Sequence, residues 1–363
     1  MQAYKKRGFW VGLGVFFLVI LSPNPESLSP IGWAVAAVTL LMAIWWATEA
    51  VPVAVTALLP LALFPLLQVT DFKAAALPYA NPNIYLFMGG FILALGIESS
   101  GLHKRLALKM LILVGNSGAK LVGGFMLVSA LISMWVMNTS TTLMLLPIGL
   151  AVCTSVAETI PNFSAKQRKN FETSLLLGIA YAASIGGMST LVGTAPNIIF
   201  VGFMQETYGI EISFIDWMKL GVPIASIMLV ASWYTITKFV YPVNFVASME
   251  TKLQLRNMLT DLGPLGRDEK KVLVIFLFAA GAWMFRTLLD NFVPLSGLTD
   301  AGIAILAALS FFFIPSENNK TDLLTWEQAN KLPWGLLVLF GGGLSLAASI
   351  GSSGLGSWIG QGL

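Results

Sequence analysis

Two polar strings interrupt an otherwise apolar chain, and their side chains suit the binding of ions better than covalent chemistry. The first is Ser133-Met134-Trp135-Val136-Met137-Asn138-Thr139-Ser140-Thr141-Thr142, followed by an apolar run to Pro147. The second leads from Ala180 through a stretch of small residues to Gly193-Thr194-Ala195-Pro196-Asn197. In a bilayer core an unpaired backbone polar group costs several kcal/mol, so such a break persists only where it is buried or lines a wet cavity. A helix-turn-helix hairpin dipping to the midplane meets that condition for the first string. Its second arm would aim backbone N–H groups at an anion. Carbonyls and the Asn138 side chain would be left for a small hard cation such as Na+. The competing reading is that these residues only hydrogen-bond between packed helices. In the second string, Gly193 and Pro196 predict an unwound segment, because proline lacks a donor and disfavours helix at the residue before it. A simple proline kink is the alternative there. The small residues upstream allow close helix packing, and the two strings together look like half of an ion-and-substrate site.

The elements that must hold these strings are membrane helices. The chain has 363 residues, 56% hydrophobic and 11% charged, whereas soluble domains carry about a quarter charged residues. The fold class is therefore an all-α polytopic membrane protein. A single cysteine, Cys153, and a single histidine, His103, exclude a disulfide framework and a Cys/His metal centre. With no paired acids at mid-span there is no constellation for an intramembrane enzyme. The N-terminus has a basic start and an apolar run but no A-x-A-like cleavage site, so it reads as a retained first span.

Apolar runs suggest spans at 9–22, 31–47, 52–67, 84–100, 174–192, 217–241, 270–289, 298–314 and 333–350, with half-length runs at 120–136 and 140–156 flanking the first polar string. If the N-terminus is cytoplasmic, 18 of the 21 Lys and Arg fall inside, leaving Lys73, Lys219 and Arg286 outside. That bias fixes the orientation, and it accounts for the net charge of +3 without a nucleic-acid partner. Residues 102–115 and 246–262 alternate basic and apolar positions at helical spacing, as interfacial or ordinary connecting helices do.

The chain also repeats itself. LFMGGFILALGIESSGL at 86–102 and LFGGGLSLAASIGSSGL at 339–355 share eleven of seventeen positions at an offset of 253. Under the charge-derived topology the two copies run in opposite directions, the inverted-repeat arrangement of many transporters. The same offset would put a second hairpin motif near 390–392 and a second loop near 446–447, both beyond Leu363. The expectation is a second repeat left incomplete and a chain that carries half of its site.

SMWVMNTSTTLMLLPIG, AYAASIGGMSTLVGTAPN and TEAVPVAVTALLPL, in that family's order, resemble the divalent anion:sodium symporter family of dicarboxylate, citrate and sulfate carriers. The resemblance covers nearly the whole chain. It implies sodium-coupled transport of a dianion such as succinate by an elevator mechanism, in a homodimer in the cytoplasmic membrane, with Na+ as coupling ion. It implies Na+ ligands at Ser133, the Met137 carbonyl, Asn138 and Gly193, and substrate contacts at Asn138, Thr139, Thr194 and Ala195. It also implies scaffold segments at 1–116 and 246–363 flanking a transport segment at 117–245. Two departures stand out: Met137 replaces a frequent serine, so only its backbone can serve, and Ala195 replaces a proline. A sulfate or citrate carrier, or a truncated fragment that does not transport, is the alternative.

Other polar residues read as structural. Glu49 suits an interfacial or packing acid better than a functional intramembrane one. Arg286 and Asp290 are spaced for a helical pair, and Asp300 suits a helix N-terminus. Asn162-Phe-Ser and Asn319-Lys-Thr match the glycosylation pattern but fall on the cytoplasmic side.

Overall fold

The computed structural model describes residues 3–113, 117–160, 163–246, 249–289, 297–317 and 322–362. Asp290, Asn162 and Asn319 lie outside them. Among the described residues the regular structure is helical. The order is α1 (Ala3–Leu21), α2 (Pro30–Thr48), α3 (Val53–Thr56), α4 (Leu59–Leu66), α5 (Phe72–Ala76), a 3-10 turn (Leu77–Ala80), α6 (Pro82–Ser99), α7 (Leu102–Leu113), α8 (Gly118–Ser133) and α9 (Asn138–Thr159). There follow α10 (Ala165–Gly187), α11 (Ala195–Tyr208), α12 (Phe214–Tyr234, continued as a π turn to Val240), α13 (Met249–Asp261), α14 (Arg267–Leu289), α15 (Asp300–Phe313), α16 (Trp326–Ala329), α17 (Trp334–Ser352) and α18 (Leu355–Gly362).

Five helical stretches are long and apolar enough to cross a bilayer: Pro30–Thr48, Phe72–Ser99, Asn138–Thr159, Phe214–Val240 and Trp334–Ser352. Together with the shorter apolar helical stretches Val53–Leu66, Gly118–Ser133 and Asp300–Phe313, they make this an all-α polytopic membrane protein. Three expectations need correction. The run 52–67 is two helices rather than one, because Pro60 supplies no amide to continue α3 and instead occupies the first turn of α4. The run 140–156 is not half-length: α9 has 22 residues. It runs on to Thr159, and the Thr154 and Thr159 hydroxyls there donate to the carbonyls of Leu150 and Ser155. The span expected at 174–192 starts at Ala165, where Ser164 and Gln167 form a capping box, and stops at Gly187.

The chain divides into two compact units, Met1–Tyr85 with Ile198–Ile212 and Leu332–Leu363, and Leu86–Asn197 with Ser213–Lys331. In the first, α1 and α2 pair antiparallel. Phe9 stacks on Trp45 with ring centroids 5.1 Å apart, and Lys5 Nζ reaches Glu49 Oε2 at 2.8 Å. Glu49 thus sits exposed at the end of α2, as an interfacial acid would. In the second unit, α7 packs on α13, and its Arg105 is buried. Arg105 Nε donates to both Glu269 oxygens at 2.9 and 3.1 Å, and its other nitrogens donate to the carbonyls of Leu262, Gly263 and Pro264.

The two copies of the repeat share a local conformation. Each helix, α6 or α17, is followed by a glycine with φ +78°, Gly101 or Gly354, and then by a leucine buried to 2% exposure, Leu102 or Leu355. A residue with a side chain would be strained at that φ, which explains why both copies place a glycine there.

Candidate functional site

Both polar strings lie in the second unit, where α8, α9 and α10 bring them together. Helix α8 starts at Ser117, whose Oγ accepts from the Lys120 amide, and ends at Ser133. Residues 134–137 turn the chain, and Met137, extended at φ −51° and ψ 139°, caps α9 without a side-chain hydrogen bond. Helices α8 and α10 run parallel in a fixed register: Ser129 Oγ donates to the Ile179 carbonyl at 2.8 Å, and Ser133 Oγ meets the Ala183 carbonyl at 2.6 Å. Gly186 makes this approach possible, since a Cβ there would collide with the Ala130 backbone. The small residues at the end of α10 therefore serve close packing, as their composition suggests.

The second string is unwound where Gly193 and Pro196 predict it. Helix α10 ends at Gly187, residues 188–194 are non-helical, and α11 begins at Ala195 with Pro196 in its first turn. Side chains close this loop. Thr190 Oγ1 donates to the Met134 carbonyl and accepts from the Gly193 amide at 3.1 Å. Asn197 Nδ2 donates to the carbonyls of Gly187 at 2.9 Å and Thr190 at 2.7 Å. Trp217 Nε1 donates to the Met188 carbonyl at 2.9 Å. Thr190 and Asn197 are both buried. These bonds give partners to carbonyls that the break in the helix would leave costly to bury.

Among the residues singled out in the sequence, Ser133, Asn138 and Gly193 converge. Ser133 Oγ lies 2.6 Å from Asn138 Oδ1. Asn138 Oδ1 and the Gly193 carbonyl oxygen flank the Gly187 Cα, since a Cβ on Gly187 would lie 2.6 Å from the one and 3.2 Å from the other. The Met137 carbonyl already accepts from the Thr141 amide at 2.9 Å and keeps one lone pair free. Thr139 is exposed and Thr194 and Ala195 are half-buried, and their side chains take no part in the bonds that tie the cluster together. Ser133 has one O–H but two oxygen neighbours at 2.6 Å, Asn138 Oδ1 and the Ala183 carbonyl. The cluster gathers neutral oxygens and carries no formal charge. Neutral oxygens of this kind suit a hard cation, and among the described residues no group of three His, Cys, Asp or Glu is placed to hold a metal instead.

An aromatic stack anchors the α8–α9 turn. Trp135 lies parallel to Phe214 and Trp283 at 5.9 and 6.2 Å and edge-on to Phe276 at 4.9 Å. Asp300 locks the stack from behind. Its Oδ2 accepts from the Phe214 amide at 2.9 Å, its carbonyl from Trp283 Nε1 at 3.0 Å, and its Oδ1 lies 3.3 Å from Arg286 Nη1. Asp300 does stand in the first turn of α15, as its position suggests, and it also supplies the acid that Arg286 meets.

Sequence reasoning passed over Gly187, Thr190, Asn197 and Trp135. All four sit inside the polar strings, but nothing in residue type separates a brace from a ligand.

Residues 7–363 match the family described as the sodium:sulfate symporter transmembrane region. A sodium-dependent dicarboxylate transporter, SdcS, of Staphylococcus saprophyticus is 39% identical over 362 residues, covering 98% of this chain and 69% of the relative. SdcS of Staphylococcus aureus strain USA300 is 38% identical over 360 residues, with the same coverage.

Proposed function

Because the chain belongs to the sodium:sulfate symporter family, we propose that it carries a dicarboxylate such as succinate across the cytoplasmic membrane, driven by Na+. The observation that carries this reading is the convergence of neutral oxygens around Ser133, Asn138 and Gly193. The relatives' names, sodium-dependent dicarboxylate transporter, supply the substrate class. In this reading Na+, a co-transported substrate, takes Ser133 Oγ, the Met137 carbonyl, Asn138 Oδ1 and the Gly193 carbonyl. Its charge then offsets one carboxylate, which receives N–H and hydroxyl donors from Asn138, Thr139, Thr194 and the amide of Ala195. Because a cation that favours the anion-competent state is favoured by the anion in return, the two bind cooperatively. The segment 117–245 moves as the transport part against 1–116 and 246–363, in an elevator motion within a homodimer whose N-termini are cytoplasmic.

Uptake of labelled succinate into proteoliposomes, with and without an inward Na+ gradient, tests the proposal. Na+-dependent uptake that disappears in Asn138→Ala is expected, and unchanged uptake in that variant would sink the site assignment. Sulfate is the second reading, favoured by the family's description. Competition by unlabelled sulfate and citrate separates these substrates from succinate.

A further inference from the structure

The oxygens assigned above to Na+ converge on a residue that has no side chain. A Cβ on Gly187 would lie 2.6 Å from Asn138 Oδ1, 3.2 Å from Asn138 Nδ2 and 3.2 Å from the Gly193 carbonyl oxygen. Contacts under 3.0 Å are not found for real Cβ atoms, so any side chain at 187 must displace the Asn138 amide. The reverse approach is equally tight: a Cβ on Gly193 would collide with the Gly187 carbonyl. The two glycines therefore touch backbone to backbone, with the Asn138 amide against them.

Nothing in the helix geometry alone keeps Gly193 there, because residues 188–194 are unwound. Two buried side chains do. Asn197 ties the Gly187 and Thr190 carbonyls together through one nitrogen. Thr190 then reaches in both directions, accepting from the Gly193 amide and donating to Met134 on the α8–α9 turn. A single hydroxyl thus links the loop that carries one proposed ligand to the turn that carries the others. The neighbouring Gly186 differs: its close contact is with the Ala130 backbone, which is helix packing and involves no proposed ligand.

Selection among cations of equal charge depends on ligand number, cavity size and ligand rigidity. We propose that Gly187, braced by Thr190 and Asn197, is a positioning residue that fixes the gap between Asn138 Oδ1 and the Gly193 carbonyl and so sets the preference for Na+ over K+. This rests on the assignment of those oxygens to Na+. Gly187→Ala pushes the Asn138 amide away from Gly193 and leaves the gap too wide for the smaller ion. Thr190→Val, nearly isosteric, releases Gly193 from the turn and widens the same gap. Thr190→Ser retains the hydroxyl.

The test is the rise in thermal midpoint of the purified full chain in detergent, titrated with NaCl or KCl at ionic strength held constant with choline chloride. The wild type is expected to respond to Na+ at lower concentration than to K+. Gly187→Ala and Thr190→Val should each raise the Na+ concentration for half-maximal effect about tenfold, the weight of one charge-assisted contact. Both should narrow the Na+/K+ difference, and Thr190→Ser should restore it. A Gly187→Ala protein that melts lower but keeps the wild-type Na+ half-saturation and preference overturns the inference while leaving the ion site standing. A wild type without any Na+-specific rise overturns the ion site itself. Should Gly187→Ala fail to fold, Thr190→Val against Thr190→Ser decides on the same criteria.

Discussion

Two buried polar clusters in the same unit of this protein handle their hydrogen bonds in opposite ways. Around Arg105, donors and acceptors are closely matched. The guanidinium faces a carboxylate and three carbonyls, and Glu269 Oε2 takes a further bond from the Gly266 amide at 2.7 Å. Around Ser133, a single hydroxyl proton faces two oxygens, and no charged side chain takes part. The first cluster borders a cavity of about 450 Å³, yet its charges are already spent on each other. The second has no formal charge, yet it leaves lone pairs unused. Buried charge by itself therefore marks structure here, and a convergent set of neutral oxygens marks the place proposed for the cation.

The largest expected effect tests the structural side of this contrast. Arg105→Met strands the Glu269 carboxylate in a buried setting and should cost about 3–5 kcal/mol, read as a lowered unfolding midpoint. The Na+ half-saturation of the protein that still folds should stay unchanged. Next come two serines of α8 that bond α10 in the same register. Ser129→Ala and Ser133→Ala should each cost about 0.5–1.5 kcal/mol, because each removes a buried hydrogen bond between α8 and α10 while the α10 carbonyl keeps its helical amide. Only Ser133→Ala should weaken Na+ dependence of succinate uptake, because only Ser133 also meets Asn138. Equal loss of Na+ dependence in both would erase the distinction between brace and ligand. Met137→Ser follows, placing a hydroxyl at the uncapped start of α9. A gain of about 1 kcal/mol in stability is expected, with half-saturation moving to lower Na+.

The smallest effect lies in the other unit. The hydrogen bond to Lys5, and then its charge, hold the Glu49 carboxyl below the usual carboxylate range. A depressed pKa stabilises the fold at pH values above the unfolded-state pKa, and that contribution disappears as pH falls through the folded-state value. Glu49→Gln should therefore lower the thermal midpoint slightly at neutral pH and converge with the wild type in acid. The Glu49 carboxylate is exposed, so added salt should shrink even that difference.

The breaks in helical structure were legible because their causes are local. Gly193 and Pro196 interrupt the helix wherever the chain goes, and the polar run from Asn138 starts a new helix after a turn. Gly101 and Gly354 keep the same φ because the Ser-Ser-Gly-Leu ending is the same. Span lengths were less legible, since helices run past the apolar stretch that announces them: a capping box at Ser164 starts α10 well before its apolar run, and α9 continues to Thr159. Spacing within one helix offered Arg286 an acid at Asp290. The partner seen, Asp300, comes from another helix that only packing brings near.

From the sequence alone, this chain is a membrane protein, it is helical, and its polar breaks fall at two defined places. Each follows from composition or from the backbone limits of a few adjacent residues. Only the tertiary structure decided which oxygens face one another. Ser133, Asn138 and Gly193 meet because α8 and α10 approach at Gly186, and because Thr190 and Asn197 close the loop onto the turn. Such contacts join residues distant along the chain, and their geometry is set by packing and hydrogen bonds that no local pattern encodes.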